Sequence, residues 1–125
     1  MKIILATRNK GKDKEFNVLA EGTKLEFIPL PKEIGNLPEE TGTTFQENAL
    51  IKAKFAFENC GGVACLADDS GLEVNFLDGA PGIYSARYSE EGTDYSNTLK
   101  LLKKMNGVPK EDRKASFKCS LVLLS

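Results

Sequence analysis

The order of apolar runs along this chain predicts an α/β fold built on a mixed sheet. Two unbroken runs, "KIILA" at residues 2–6 and "VACLA" at residues 63–67, read as short strands buried on both faces. Helical stripes alternate with the strands, and two later strands are joined by a short turn. That order argues α/β with a mixed sheet.

After the strand at residues 2–6, a helix is expected over residues 12–20, with Phe16 and Leu19 on its inner face. "LEFIPL", residues 25–30, is a strand ended by Pro31, and residues 31–43 are a loop rich in Pro, Gly and acid. Thr44 and Glu47 have the spacing of a capping box, in which hydroxyl and carboxylate each satisfy a free backbone N–H. Phe45, Ala49, Ala53 and Ala56 then form one stripe, and Gly61 and Gly62 supply the left-handed stop. A half-exposed strand is predicted at residues 72–76, with Leu72, Val74 and Phe76 inward, followed by a long loop at residues 77–92. A further helix spans residues 94–105, with Tyr95, Leu99, Leu102 and Met105 on one face, and Asn106, Gly107 and Pro109 stop it. The last strand begins near Ala115.

The 125 residues are expected to form a single domain, residues 1–125. With 41% hydrophobic and 28% charged residues the composition is that of a globular protein, and no repeat or low-complexity segment interrupts it. A net charge of −1 with both signs scattered leaves no basic footprint, which argues against nucleic acid and a membrane surface as partners. Cys60, Cys65 and Cys119 read as buried free thiols of a reducing compartment, without a metal-binding pattern. The apolar run at the N-terminus is too short for a signal peptide or a membrane span, so a cytoplasmic location is expected. The chain stops on the strand pattern "SFKCSLVLLS", which reads as the N-terminal portion of a longer protein. There is no histidine, so any general base must be a carboxylate, a lysine or a tyrosine.

Chemistry is expected at three stretches. "ATRNKGKD", residues 6–13, resembles a P-loop except that Ala6 replaces its first glycine and Asp13 the hydroxyl residue that holds Mg²⁺. A phosphate there would meet N–H groups at a helix N-terminus, Thr7, Asn9 and the Lys12 ammonium. The alternative is an ordinary polar turn. "LADDSG", residues 66–71, places Asp68 and Asp69 at the end of a buried strand, where they either serve a cation or open an Asx-turn through Ser70 and Gly71. "LPEETG", residues 37–42, offers Glu39 and Glu40, hard oxygen donors suited to Mg²⁺, or else solvated loop charges. Together the stretches are complementary: a phosphate turn without its own metal ligand, and acidic pairs that can supply one each. Lys52 on the capped helix is expected on a solvated face, and Arg87 in "YSARYS" is expected to cover the fold or pair with an acid.

In this order, "LATRNKGK", "EETGTTFQENALIKA", "ADDSGLEV", "GAPGIYSARYS" and "FKCSLVL" resemble the inosine triphosphate pyrophosphatase family. The resemblance implies an elongated mixed β-sheet flanked by helices, two lobes with a cleft between them, and a homodimer. It implies Mg²⁺-dependent hydrolysis of inosine, deoxyinosine and xanthosine triphosphates to the monophosphate and pyrophosphate. Carried over by position, Thr7, Arg8, Asn9, Lys10, Gly11 and Lys12 bind the triphosphate, and Ser70 is a further substrate contact. Glu39 and Asp69 hold the metal, Asp69 also accepts the proton, and Lys12 assists catalysis. Arg8 stands where the family often has glycine, and its exposed reading is preferred over phosphate contact. The family's later Phe-Gly-Tyr-Asp and Ser-His-Arg motifs, which read the base, do not occur in this chain. The competing readings are a Maf-type nucleotide pyrophosphatase and a nucleotide-binding fragment without turnover.

Overall fold

The structure, a computed structural model, describes residues 1–125. Four strands, β1 (Lys2–Leu5), β2 (Glu26–Pro29), β3 (Cys65–Val74) and β4 (Ala115–Leu124), form one mixed sheet in the order β2-β1-β3-β4. β1 pairs parallel with both β2 and β3. Helices α1 (Lys10–Leu19), α2 (Phe45–Asn59) and α3 (Asp94–Lys104) complete the α/β pattern expected from the sequence. By its contacts the chain divides into two compact units, Met1–Asp68 with Ser120–Ser125, and Asp69–Cys119.

In the first unit β1 is covered on both faces. Ile4 and Ala6 join Leu30, Cys65, Ala67 and the α2 stripe Ala49, Ala53 and Ala56 in one cluster. Alanines at helical spacing let α2 lie close to the strands, and the predicted stripe is buried with Phe45. Ile3 and Leu5 point to the other face and are also buried. Phe27, in register with Ile3, meets Phe16 of α1 edge to face at 5.3 Å. Leu19, expected beside Phe16, is instead 76% exposed. The reason is Asn17, whose side chain accepts the Phe27 N–H and donates to the Phe27 carbonyl, both at 3.1 Å. Asn17 thus occupies the open edge of β2, Phe16 is half-buried, and of this stretch only Ala20, just past the end of α1, is buried.

The N-terminus of α2 also departs from expectation. Thr44 caps it by accepting the Glu47 N–H at 3.1 Å, but the Glu47 carboxylate reaches past the cap residue to Thr43. The Thr43 backbone N–H, with help from its hydroxyl, holds the Glu47 carboxyl below the usual carboxylate range. At the other end Gly61 and Gly62 take φ of 70° and 76°, and the Gly62 N–H satisfies the Phe57 carbonyl at 3.1 Å. Burial pushes the Cys65 thiol up to about 11, with neighbouring Cys60 adding to the shift. Cys119, expected to be buried, is exposed on β4.

The second unit has its own small core of Val74, Met105 and Val108, packed by Leu72, Leu77 and Leu101. Thr93 and Ser96 form a reciprocal capping box on α3, and Arg113 closes its far end by donating to the Met105 and Val108 carbonyls at 2.8 Å. Of the face expected for α3, Met105 is buried and the other three residues are not. Tyr95, Leu99 and Leu102 are exposed, whereas Asn97, Leu101 and Met105 turn inward. Asn97 sets this rotation: its amide donates to the Ser85 and Ala86 carbonyls, and its Oδ1 accepts the Ser89 N–H and hydroxyl. A fully bonded amide anchors the helix face where periodicity predicted an apolar contact.

The largest difference concerns β3. The expected pair of strands with a turn at residues 69–71 is one continuous ten-residue strand, and Phe76 lies beyond its end, exposed. Asp68 and Asp69 therefore sit inside a strand, both buried, at 5% and 8% exposure. The boundary between the two compact units falls between them.

Candidate active site

The turn after β1 is shaped by its own side chains. Thr7, buried, accepts the Asn9 N–H at 3.0 Å, and Asn9 caps α1 by accepting the Gly11 N–H at 2.9 Å. A Cβ at Gly11 would approach Asn9 Oδ1 to 3.2 Å, so a small residue suits this position. Arg8 donates to the carbonyls of Leu30, Pro31 and Gly35. It is exposed as expected, and its guanidinium ties the turn to the segment after β2. Lys10, with Thr7, Arg8, Asp13, Lys32 and Asn36, borders a cavity of about 320 Å³. Burial raises the Asp13 carboxyl above its usual range, and its Oδ1 has no hydrogen-bond partner there.

Within the first turn of α1, Lys12 aims at the sheet. Its Nζ meets both oxygens of Asp68, at 3.0 and 2.8 Å, with the lysine side chain 27% and the aspartate side chain 7% exposed. Lys52 on α2 donates to the Asp68 carbonyl at 2.5 Å and stands 3.7 Å from Glu40. Asp68 thus gathers two lysines from two helices, and the second of them brings in the acidic loop. Lys52 is buried, contrary to the solvated face expected for it. Its position could have been read from the stripe, because residues 45, 48, 49, 52, 53 and 56 share one face of α2.

Replacing Lys52 by Met keeps the aliphatic stem and removes the buried donor. The expected cost is roughly 1–3 kcal/mol, the desolvation penalty of a buried group left without its partner. Urea melts should register it, and Lys54→Met, at an exposed position of the same helix, should leave the midpoint unchanged.

Of the remaining residues singled out in the sequence, Glu39 is exposed on the loop beside Glu40, and Asp69 is buried. Ser70 is exposed and borders a cavity of about 340 Å³ in the second unit, with Pro81, Asn97, Leu101 and Phe117. Arg87 lies over the Tyr84 ring at 5.3 Å. No helix is long and apolar enough to cross a membrane.

A polar turn opening a helix over a parallel pair of strands, with two lysines closing on a buried aspartate, defines an α/β protein with a preassembled charged site. Residues 3–125 match the Ham1 family, and the chain belongs to it. It is 48% identical over 124 residues to a dITP/XTP pyrophosphatase of Bacillus licheniformis, covering 97% of this chain and 62% of that protein. A dITP/XTP pyrophosphatase of Vibrio vulnificus is 50% identical over 124 residues, at 98% and 62% coverage. Among solved structures, a HAM1 protein from Coxiella burnetii superposes with a TM-score of 0.86 at 40% identity, covering 99% of this chain and 63% of that one. The nucleoside-triphosphatase / dITP/XTP pyrophosphatase from Mycobacterium abscessus gives 0.79 at 41% identity, with 98% and 65% coverage. The chain thus spans about 62% of the length of these curated relatives.

Proposed function

We propose that this chain carries the phosphate-handling part of a nucleoside triphosphate pyrophosphatase. The reaction is hydrolysis of inosine, deoxyinosine and xanthosine triphosphates to the monophosphate and pyrophosphate, in the cytoplasm and as a homodimer. What carries the reading is the Lys12–Asp68–Lys52 cluster beside the turn at residues 7–12, in a chain about half identical to dITP/XTP pyrophosphatases.

The donor set suits Mg²⁺. The chain has no histidine, and no three His, Cys, Asp or Glu residues converge into a closed cage. A hard cation that takes one or two protein carboxylates and completes its shell with phosphate and water needs no such cage. Glu39 and Asp69 would hold it, with Glu40 kept beside Lys52. When bound, Mg²⁺ supplies positive charge to the triphosphate oxygens.

The chain's own groups do the rest. Thr7, Asn9 and Gly11 hold the turn whose N–H groups and Lys10 and Lys12 side chains meet the phosphates, Arg8 braces that turn through the Leu30, Pro31 and Gly35 carbonyls, and Ser70 adds a contact. Asp69 takes a proton from the attacking water as its oxygen bonds to the α-phosphorus. The bond from the α-phosphorus to the bridging oxygen breaks, and pyrophosphate leaves. Catalysis by such groups is mainly positioning and charge stabilisation.

The test is pyrophosphate release from inosine triphosphate and from ATP, with and without Mg²⁺. Release only with the cation is expected, and the ratio of the two substrates reports on selection of the base. Nucleotide binding with no release in either condition would leave a binding module in place of an enzyme.

A further inference from the structure

The loop that carries Glu39 and Glu40 is harnessed to α2 by contacts that touch no substrate. Asn48, fully buried, accepts the Gly42 N–H on its Oδ1 at 2.7 Å. At the next residue, the Thr43 N–H and hydroxyl both donate to the Glu47 carboxylate, at 2.6 and 3.0 Å. Thr44 then caps the helix on the Glu47 N–H. Residues 42, 43 and 44 are thus fastened in succession to the first turns of α2. The fit is close: a Cβ on Gly42 would lie 2.6 Å from the Glu47 Cβ and 2.7 Å from Asn48 Oδ1. Directly upstream, Glu40 stands 3.7 Å from Lys52, one helical turn beyond Asn48 on the same face.

Asn48 is an odd choice if stability alone were at issue. Phe45, Ala49 and Ala53 beside it are apolar, Lys52 is the one charged group on that face, and the Asn48 Nδ2 is buried with no hydrogen-bond partner. A buried donor left unsatisfied is destabilising. What the residue provides in return is a fixed acceptor for the loop.

We propose that Asn48 is a positioning residue: by anchoring the Gly42 N–H it sets the Glu39 and Glu40 carboxylates and thereby the affinity for a divalent cation. The proposal rests on the metal reading above. It extends that reading to a residue outside the site, since partners that orient a metal's ligands govern affinity without touching the ion.

The experiment titrates Mn²⁺, followed by its electron paramagnetic resonance signal, into the wild-type chain, Asn48→Ala and Asn48→Asp. Asn48→Ala should bind roughly 10–100-fold more weakly, and Asn48→Asp, which keeps the acceptor, should restore most of the affinity. A melting curve on each variant separates this from a simple loss of stability. Asn48→Ala that stays folded and binds as tightly as wild type overturns the proposal. So does an Asn48→Asp protein as weak as Asn48→Ala. Should Asn48→Ala fail to fold, hydrogen exchange at the wild-type Gly42 amide decides: slow exchange is expected, and exchange as fast as an exposed loop amide overturns the anchor. A wild-type chain that binds no Mn²⁺ defeats the metal reading and the affinity claim with it, while Gly42 exchange still reports separately on the anchor.

Discussion

Lys12→Ala is expected to lower both stability and turnover, and a second substitution should separate the two effects. Lys12 is the cation that meets both oxygens of the Asp68 carboxylate, whose side chain is 7% exposed. Breaking a buried ion pair from one side costs about 3–5 kcal/mol, because the remaining charge loses its compensation without regaining water. The 27% exposure of Lys12 places this pair at the low end, at roughly 3 kcal/mol, still far above the ~0–1 kcal/mol of a surface pair. Adding Asp68→Asn removes the stranded charge, so the double variant should recover most of the lost stability. It should not recover pyrophosphate release, because the ammonium proposed to meet the triphosphate is still missing. For turnover, loss of a preorganised charge-stabilising group predicts a fall of roughly 10²–10³. Denaturant melts and rate measurements on the same three proteins make the comparison. A Lys12→Ala chain that melts with wild type would mean that Asp68 is hydrated and that the pair is a surface contact.

The same pair explains what the sequence could and could not reveal. β1, β2, β4 and α2 were legible because their signals are local: short apolar runs, a capping threonine and paired glycines within a few residues of one another. β3 was not, because Asp-Asp-Ser-Gly has the local character of a turn. What lets Asp68 lie in a buried strand is Lys12, 56 residues earlier, together with the Lys52 ammonium on the Asp68 carbonyl. Local propensity yields to partners that only the fold brings close. The registers of α1 and α3 were missed for a related reason. Asn17 and Asn97 bond to distant backbone, Asn97 from a buried position, and hydrophobic periodicity gives such polar residues no place on an inner face. The polar turn at residues 7–12 is legible in its residue types, whereas the solvated face expected for Lys52 fails because residue 52 shares a face with Ala49, Ala53 and Ala56.

Asp69→Asn should slow turnover by roughly 10²–10⁴, the range for a positioned acid–base group. Asparagine has nearly the same size, so a residue at 8% exposure inside β3 is replaced without opening a cavity, and the fold should be kept. The proposal gives Asp69 two duties, holding the cation and accepting the proton, and the variant can tell them apart. If the loss lies in cation affinity alone, raising Mg²⁺ should restore the rate toward wild type, because mass action refills a weakened site. If the loss lies in proton acceptance, saturating Mg²⁺ should leave the rate low, since an amide cannot take the proton at any concentration of metal. The expected result is the second, with a modest rise in the Mg²⁺ required. An Asp69→Asn chain that stays folded and turns over near the wild-type rate would remove Asp69 from the chemistry. The base would then have to be another carboxylate, a lysine or a tyrosine, the only classes this histidine-free chain offers. Asp68 is poorly placed for it while both its oxygens are engaged by Lys12.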